Sequence, residues 1–266
     1  MAKPQSLALL ILPALLLSLF SPPCLAKNIL YRDETLYAGY SLTQNNNRLT
    51  MQPDCNLVLF NDGHNVWSSN TSNVARACHA TLESDGRLVI ISENDQTLIW
   101  ETKGGAVNRD YVLVVDDHDV VIYGPKMWET DGIAVPKPAY DSTPNNILGT
   151  DGVLHSETSL TYADYHLIMQ NDCNLVLYDK GVPVWHTNTA GKGYKGCHLK
   201  MQSDGDLVVY RSDGNNRLWS SKTAEAGKNR YTLVLQPNRN LVIYGPGLWG
   251  TDTQGKNTDI EMVTVV

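Results

Sequence analysis

The sequence predicts an all-β protein built as two tandem trigonal β-prisms, each folding three antiparallel sheets with pseudo-threefold symmetry. Three observations carry that expectation. The stretch MQPDCNLVLFN at 51–61 returns as MQNDCNLVLYD at 169–179, an offset of 118, while Cys78/Cys197 and Trp100/Trp219 recur at 119. Within each half one frame occurs three times, and the gap from its last residue to the next tryptophan runs 7, 9 and 5 in both halves. The frames alternate strictly, are rich in Val, Leu, Ile and Tyr, and are bounded by turn pairs such as Asp62-Gly63, Asp85-Gly86, Asp204-Gly205 and Asp213-Gly214. That is the pattern of half-buried strands, and no helical periodicity accompanies it. Repeated units of this size bury one sheet face against their neighbours.

In chain order, residues 1–26 read as a signal peptide. Lys3 precedes the apolar run LALLILPALLLSLF (7–20), and Pro22, Pro23 and Ala26 put cleavage before Lys27. The run is too short for a comfortable membrane span and no later stretch approaches one, so the expected destination is the secretory pathway, extracellular or vacuolar. Without the leader, 20 basic residues face 28 acidic ones, a net charge near −8 that argues against nucleic acid or anionic membrane as partner.

The first domain is expected over 27–133, with frames at 52–60, 83–91 and 115–123. The linker AVPKPAYDSTP (134–144) follows, its three prolines restricting the backbone. The second domain, 145–254, holds frames at 170–178, 202–210 and 236–244. Each frame is followed by one of the six tryptophans (Trp67, Trp100, Trp128, Trp185, Trp219, Trp249), expected at the centre of each prism. The tail 255–266 continues without a seventh repeat, as a trimmed propeptide or a disordered end. With Cys24 in the leader, four cysteines remain, and their spacings of 23 and 24 favour Cys55–Cys78 and Cys173–Cys197 over crossed pairings. Each bridge closes a loop worth roughly 3 kcal/mol in the chain-entropy account. Asn70-Thr71-Ser72 is a candidate N-glycosylation sequon at Asn70.

Residues two apart share a strand face, so Gln170, Asp172, Asn174, Val176 and Tyr178 are expected along one side over roughly 27 Å. Cys173, Leu175 and Leu177 then point to the core. The first rungs offer an amide, a carboxylate and a second amide, and the last two add an apolar patch and a phenol. A polyhydroxylated ring with one apolar face needs such a partner. Alternating polar residues on a strand are ordinarily a solvated face, but solvation does not require the same identities to recur.

The motif Gln-x-Asp-x-Asn-x-Val-x-Tyr, with the tryptophan frames and cysteine spacing, resembles the monocot mannose-binding (bulb-type, snowdrop-like) lectins in their two-domain form, over essentially the whole mature chain. The resemblance implies a β-prism II fold with four-stranded sheets, metal-free and cofactor-free binding of terminal α-mannose, and homo- or hetero-oligomers. Carried over by motif position, Asp172 and Asn174 grip the axial O2, Gln170 reaches O3, Tyr178 reaches O4, and Val176 packs on the ring. Mannose-containing glycans and glycoproteins are the partners implied, with multivalent cross-linking in plant defence as the output.

The six frames are unequal. Gln52, Asp54, Asn56 and Val58 match, but Phe60 replaces the tyrosine, which costs one hydroxyl, about 1 kcal/mol. In Gln202, Asp204, Asp206, Val208 and Tyr210 the Asn has become Asp, and two carboxylates facing one hydroxyl predict a weak or altered site. Gln236, Asn238, Asn240, Val242 and Tyr244 lose only the charge assistance of the Asp, a weaker candidate. Glu83, Asp85, Arg87, Val89 and Ile91, and Val115, Asp117, Asp119, Val121 and Tyr123, look structural only.

Enzyme chemistry finds no foothold. The seven histidines show no metal-ligand spacing. Cys78-His79 and Cys197-His198 do not supply thiol nucleophiles if those cysteines are bridged. Paired carboxylates such as Asp116-Asp117 or Asp204/Asp206 suggest glycosidase chemistry, but Asp204 and Asp206 share one flat strand face, whereas a glycosidase pair must flank the scissile bond. The rival expectation is a lectin-related storage or protein-binding protein whose sugar sites have lapsed.

Overall fold

Short runs with β-branched and leucine residues at every second position form the strands, and Asx-Gly pairs or left-handed residues close the hairpins between them. The computed structural model describes residues 27–117, 119–130, 145–191, 195–213 and 216–251. The leader, the linker 134–144 and the tail 255–266 lie outside these, as does Gly214 of one expected turn.

The first half begins with β1 (Ile29–Tyr31) and β2 (Thr35–Tyr37). A meander follows: β3 (Ser41–Gln44), β4 (Asn47–Met51), β5 (Leu57–Asn61) and β6 (His64–Ser68). Next come β7 (Cys78–Leu82), β8 (Leu88–Ser92), β9 (Leu98–Glu101), β10 (Val112–Val115), β11 (Val120–Tyr123) and β12 (Lys126–Glu129). The second half repeats the series as β13 (Ile147–Gly149), β14 (Val153–His155), β15 (Ser159–Tyr162), β16 (Tyr165–Met169), β17 (Leu175–Asp179) and β18 (Val182–His186). It closes with β19 (His198–Met201), β20 (Leu207–Tyr210), β21 (Arg217–Ser220), β22 (Thr232–Leu235), β23 (Leu241–Tyr244) and β24 (Gly247–Gly250).

These form six antiparallel four-stranded sheets, three to a prism. Two sheets in each prism are local: β3-β4-β5-β6 and β2-β7-β8-β9 in the first, β15-β16-β17-β18 and β14-β19-β20-β21 in the second. The third sheet is mixed. β24 pairs with β11 in the order β1-β10-β11-β24, and β12 pairs with β23 in the order β12-β23-β22-β13. The halves have therefore exchanged their last strands, so the sheets do not follow the simple chain division at the linker.

Each prism buries one leucine-rich cluster that includes its disulfide, Cys55–Cys78 or Cys173–Cys197, as the spacing predicted. The exchange decides where the tryptophans go. Trp128, from the first half, packs edge-to-face on Trp185 and Trp219 at 5.9 and 6.0 Å, completing a triad in the second prism. Trp67 and Trp100 meet at 5.8 Å in the first. These rings are half-buried rather than fully enclosed. The two mixed sheets face each other through a third apolar cluster of Ile29, Val112, Val114, Val121, Tyr123, Val234, Val242 and Tyr244. Buried amides cross this contact, with Asn28 Nδ2 donating to Gln44 Oε1 at 3.1 Å and to Asn146 Oδ1 at 2.9 Å.

Candidate functional site

The ladder at 170–178 is not one straight strand, as the alternation suggested. Gln170 to Asn174 form the tight loop joining β16 to β17, closed by Gln170 N–H to the Asn174 carbonyl at 2.9 Å and Cys173 N–H to the Gln170 carbonyl at 3.0 Å. Cys173 sits at φ 73°, in the left-handed region. The chain thus doubles back within the motif. Gln170 Nε2 donates to Tyr178 Oη at 2.8 Å, although a straight strand would hold the two residues roughly 27 Å apart. Five polar and apolar groups gather at a hairpin end instead of lining a rod.

The loop also fixes the two groups between them. Asp172 Oδ1 accepts the Asn174 backbone N–H at 3.0 Å, an Asx turn, while Oδ2 has no partner among the described residues. Asn174 Oδ1 accepts from Thr187 Oγ1 at 3.2 Å and from the Thr189 N–H at 3.1 Å. Its Nδ2 has no partner among the described residues either. A carboxylate oxygen and an amide N–H₂ are therefore left for an outside hydroxyl, acceptor beside donor. Asp172 is exposed, Asn174 and Tyr178 half-buried, and Val176 is buried to 3 %. Cys173, Leu175 and Leu177 are buried in the core as expected.

The frame at 52–60 reproduces this. Asp54 Oδ1 accepts the Asn56 N–H at 3.1 Å, and Asn56 Oδ1 accepts from Ser69 Oγ and the Thr71 N–H, both at 3.1 Å. Cys55 takes φ 74°. With Phe60 in place of tyrosine, Gln52 has no phenol to bind. Asn70 is exposed, with Oδ1 accepting from Ser68 Oγ at 2.8 Å.

The other frames spend the same groups internally. In 202–210, Gln202 Nε2 still donates to Tyr210 Oη at 2.8 Å. Asp206, however, does not face a ligand as a repelling second carboxylate. It is 1 % exposed, accepts from Ser220, Ser221, Lys222 and Thr223, and pairs with Arg217 at 3.2 Å. The Arg217 guanidinium reaches on to Gln202 Oε1 at 3.3 Å and so lies across the frame. In 236–244, Gln236 Nε2 donates to Tyr244 Oη at 2.6 Å, but Asn240 Nδ2 is held by Glu129 of the exchanged β12. Val242 and Tyr244 are buried against the other half, and burial pushes the Tyr244 phenol well above its usual range. A cavity of about 320 Å³ remains there, roofed by Tyr31, Arg32 and Lys126 of the first half.

The frame at 83–91 is filled by Arg87, which pairs with Asp85 at 2.7 Å and with Glu101. Burial opposes ionisation of Asp85, yet the Arg87 backbone and guanidinium hydrogen bonds outweigh it and hold that carboxyl below its usual value. At 115–123, Asp119 is fully buried and paired with Arg230 of the second half at 3.0 Å.

No family model matches the chain. It is 36% identical over 265 residues to the mannose-specific lectin CEA of Colocasia esculenta, 97% of each chain. It is 34% identical to mannose-specific lectin 1 of Crocus vernus, across 91% of this chain and 94% of that one. Among solved structures it is similar to the native fetuin-binding agglutinin of Scilla campanulata, a two-domain lectin. That match has a TM-score of 0.77 at 39% identity and covers 85% of this chain and all of the other. The chain belongs to the monocot mannose-specific lectins of bulb type, in their two-domain form. Its prisms are two β-prism II domains, and the lectin is not an enzyme.

Sequence reasoning missed the groups that orient this lectin's frames. Two residues beyond every tryptophan stands a hydroxyl: Ser69, Thr102, Thr130, Thr187, Ser221 and Thr251. Each accepts the backbone N–H that opens the strand of a frame, at 2.9 to 3.2 Å. In five of the frames it also donates to the frame's Asn or Asp. The repetition after Trp is visible in the sequence and was the available signal. Arg217 and Glu129, which close two frames, carry no such mark.

Proposed function

We propose that this lectin binds terminal α-mannose of glycans and glycoproteins chiefly through Gln170, Asp172, Asn174, Val176 and Tyr178, and more weakly through Gln52, Asp54, Asn56 and Val58. The observation that carries the reading is the pair of groups without a partner among the described residues, Asp172 Oδ2 and Asn174 Nδ2, whose residues are tied together across Cys173 by the Asx turn and oriented by the Thr187 and Thr189 contacts. An axial O2 donates to the carboxylate and accepts from the amide. The first bond is charge-assisted, worth about 1.5–3 kcal/mol. An epimer with an equatorial hydroxyl leaves both groups unmet and is penalised. The Gln170–Tyr178 bond fixes the two groups assigned to O3 and O4 before the sugar arrives, and Val176 backs the ring. Relatives sharing most of the chain's length are named mannose-specific, which supports the same ligand class.

The frames at 202–210 and 236–244 are the weaker sites, because Arg217 and Glu129 must be displaced first. A shallow single-sugar site binds near millimolar, about −4 kcal/mol, so useful avidity comes from several sites on one particle, a gain of about 10²–10⁴. Oligomers of this two-domain chain supply them, and cross-linking of high-mannose glycans in plant defence is the output. The leader at 1–26 and the two disulfides fit export through the secretory pathway to the cell exterior or the vacuole.

Retention on mannan–agarose with elution by methyl α-mannoside tests the reading. Flow-through of the intact protein contradicts it and leaves a lectin-related storage or protein-binding role.

A further inference from the structure

The two best frames differ at one rung, and the structure puts a different chemistry there. Arg48 on β4 lies directly opposite Phe60 on β5 in the register, the position that His166 holds opposite Tyr178 in the second prism. Its guanidinium stands over the Phe60 ring, 4.9 Å from the centroid. The side chain is exposed, and it has no carboxylate or other acceptor among the described residues. The cation–π contact holds the guanidinium over the ring while leaving its N–H groups unused among the described residues. The Gln52 side chain, which would have been tied to a phenol, likewise has no hydrogen-bond partner among the described residues. The other arginines in or beside frames are each paired with a carboxylate: Arg87 with Asp85, Arg217 with Asp206, and Arg239 with Asp179. Arg48 is not.

From this geometry we infer that Arg48 takes over the role of the missing phenol and makes the frame at 52–58 selective for mannosides carrying an anionic group on the ring edge that faces Phe60. The inference rests on the reading of 52–58 as a sugar site and assigns that site its substrate class. A guanidinium fork matches a phosphate, sulfate or carboxylate with two parallel charge-assisted bonds, which a phenol cannot do. The frame at 170–178 has a neutral phenol at this rung, so the two prisms divide the labour: one reads neutral mannose, the other an acidic mannoside.

The test uses the full mature chain with Asp172→Ala, which removes the second-prism site from the reading. Amide NMR titrations compare methyl α-mannoside with mannose 6-phosphate, mannose 6-sulfate and mannuronate, and these three arms distinguish the source of the charge. At least one charged ligand is expected to bind about 10-fold more tightly than the neutral one at low salt, with the preference shrinking as screening rises. Arg48→Gln abolishes the preference while neutral mannoside still binds, and Arg48→Lys, which keeps the charge without the fork, retains part of it. Equal affinity for neutral and charged ligands, or a preference that survives Arg48→Gln, overturns the inference and leaves the sugar site standing. Absence of any binding in the Asp172→Ala background overturns both.

Discussion

Between Asp172 and Asn174 the chain must turn, and the residue that turns it, Cys173, holds a left-handed conformation that L side chains adopt only when the surroundings insist. The disulfide and the Gln170–Asn174 backbone bond supply that insistence, so the core residue and the ligand groups form one unit. Removing only the phenol hydroxyl should leave this unit intact. Tyr178→Phe is expected to weaken methyl α-mannoside binding several-fold, about 1 kcal/mol, with only a small fall in melting temperature from the lost Gln170 hydrogen bond. The identities of the ladder were legible because they recur. Its shape was not, since alternation reads the same in a strand and in a loop that feeds one. Gly86 and Gly205, both at positive φ, mark the turn inside two frames, whereas a cysteine hides it in the two best ones. A pH effect belongs to this scale too. Burial, helped by the nearby His155 and Lys200 charges, lowers the His198 pKa, so the unfolded chain binds the proton more readily. The resulting stability is complete above the ordinary imidazole value and is lost as pH falls through it towards the lower folded value. His198→Gln should flatten the melting-temperature profile between neutral and mildly acidic pH.

Among the elements, the fourth strand of every sheet meets its frame through a register shift at the same place, between Leu177 and Tyr178 in one case and Leu59 and Phe60 in another. A bulge there re-aims the strand that carries the tryptophan. Nothing in residue type demands a bulge, which is why strands were legible and their offsets were not. The approach to the exchanged strands leaves less freedom. A Cβ at Gly245 would lie 2.2 Å from the Tyr231 ring, and at Gly124 it would lie 2.1 Å from Tyr111. Both rings are fully buried and have no room to retreat. Gly245→Ala is expected to cost about 2 kcal/mol, a fall of about 4–8 °C in melting temperature by calorimetry.

For the whole molecule, the exchange of β12 and β24 matters most. Each closing strand pairs with a sheet of the other half, and Trp128 completes the second prism's triad. The repeats could not reveal this. Two copies of one motif specify what kind of partner the last strand needs but not which copy provides it. It follows that a protease site engineered into 134–144, once cut, should leave a single species on gel filtration, with separation only in denaturant. Fragments that part under native conditions would refute the exchange. The exchange also accounts for the two frames that face inward. The mixed sheets turn Val121, Tyr123, Val242 and Tyr244 towards each other, and only the outward sheets keep frames open to solvent. The central claim is that an open frame, with its carboxylate and amide unspent, is the mannose site. Amide NMR titration of the native protein and of Asp172→Ala with methyl α-mannoside tests it most directly. The account predicts that the native protein responds at 170–178 and more weakly at 52–58, and that the substitution weakens the first response by about 10- to 100-fold while sparing the second. An unchanged response at 170–178, or one confined to the frames closed by Arg217 and Glu129, would contradict it.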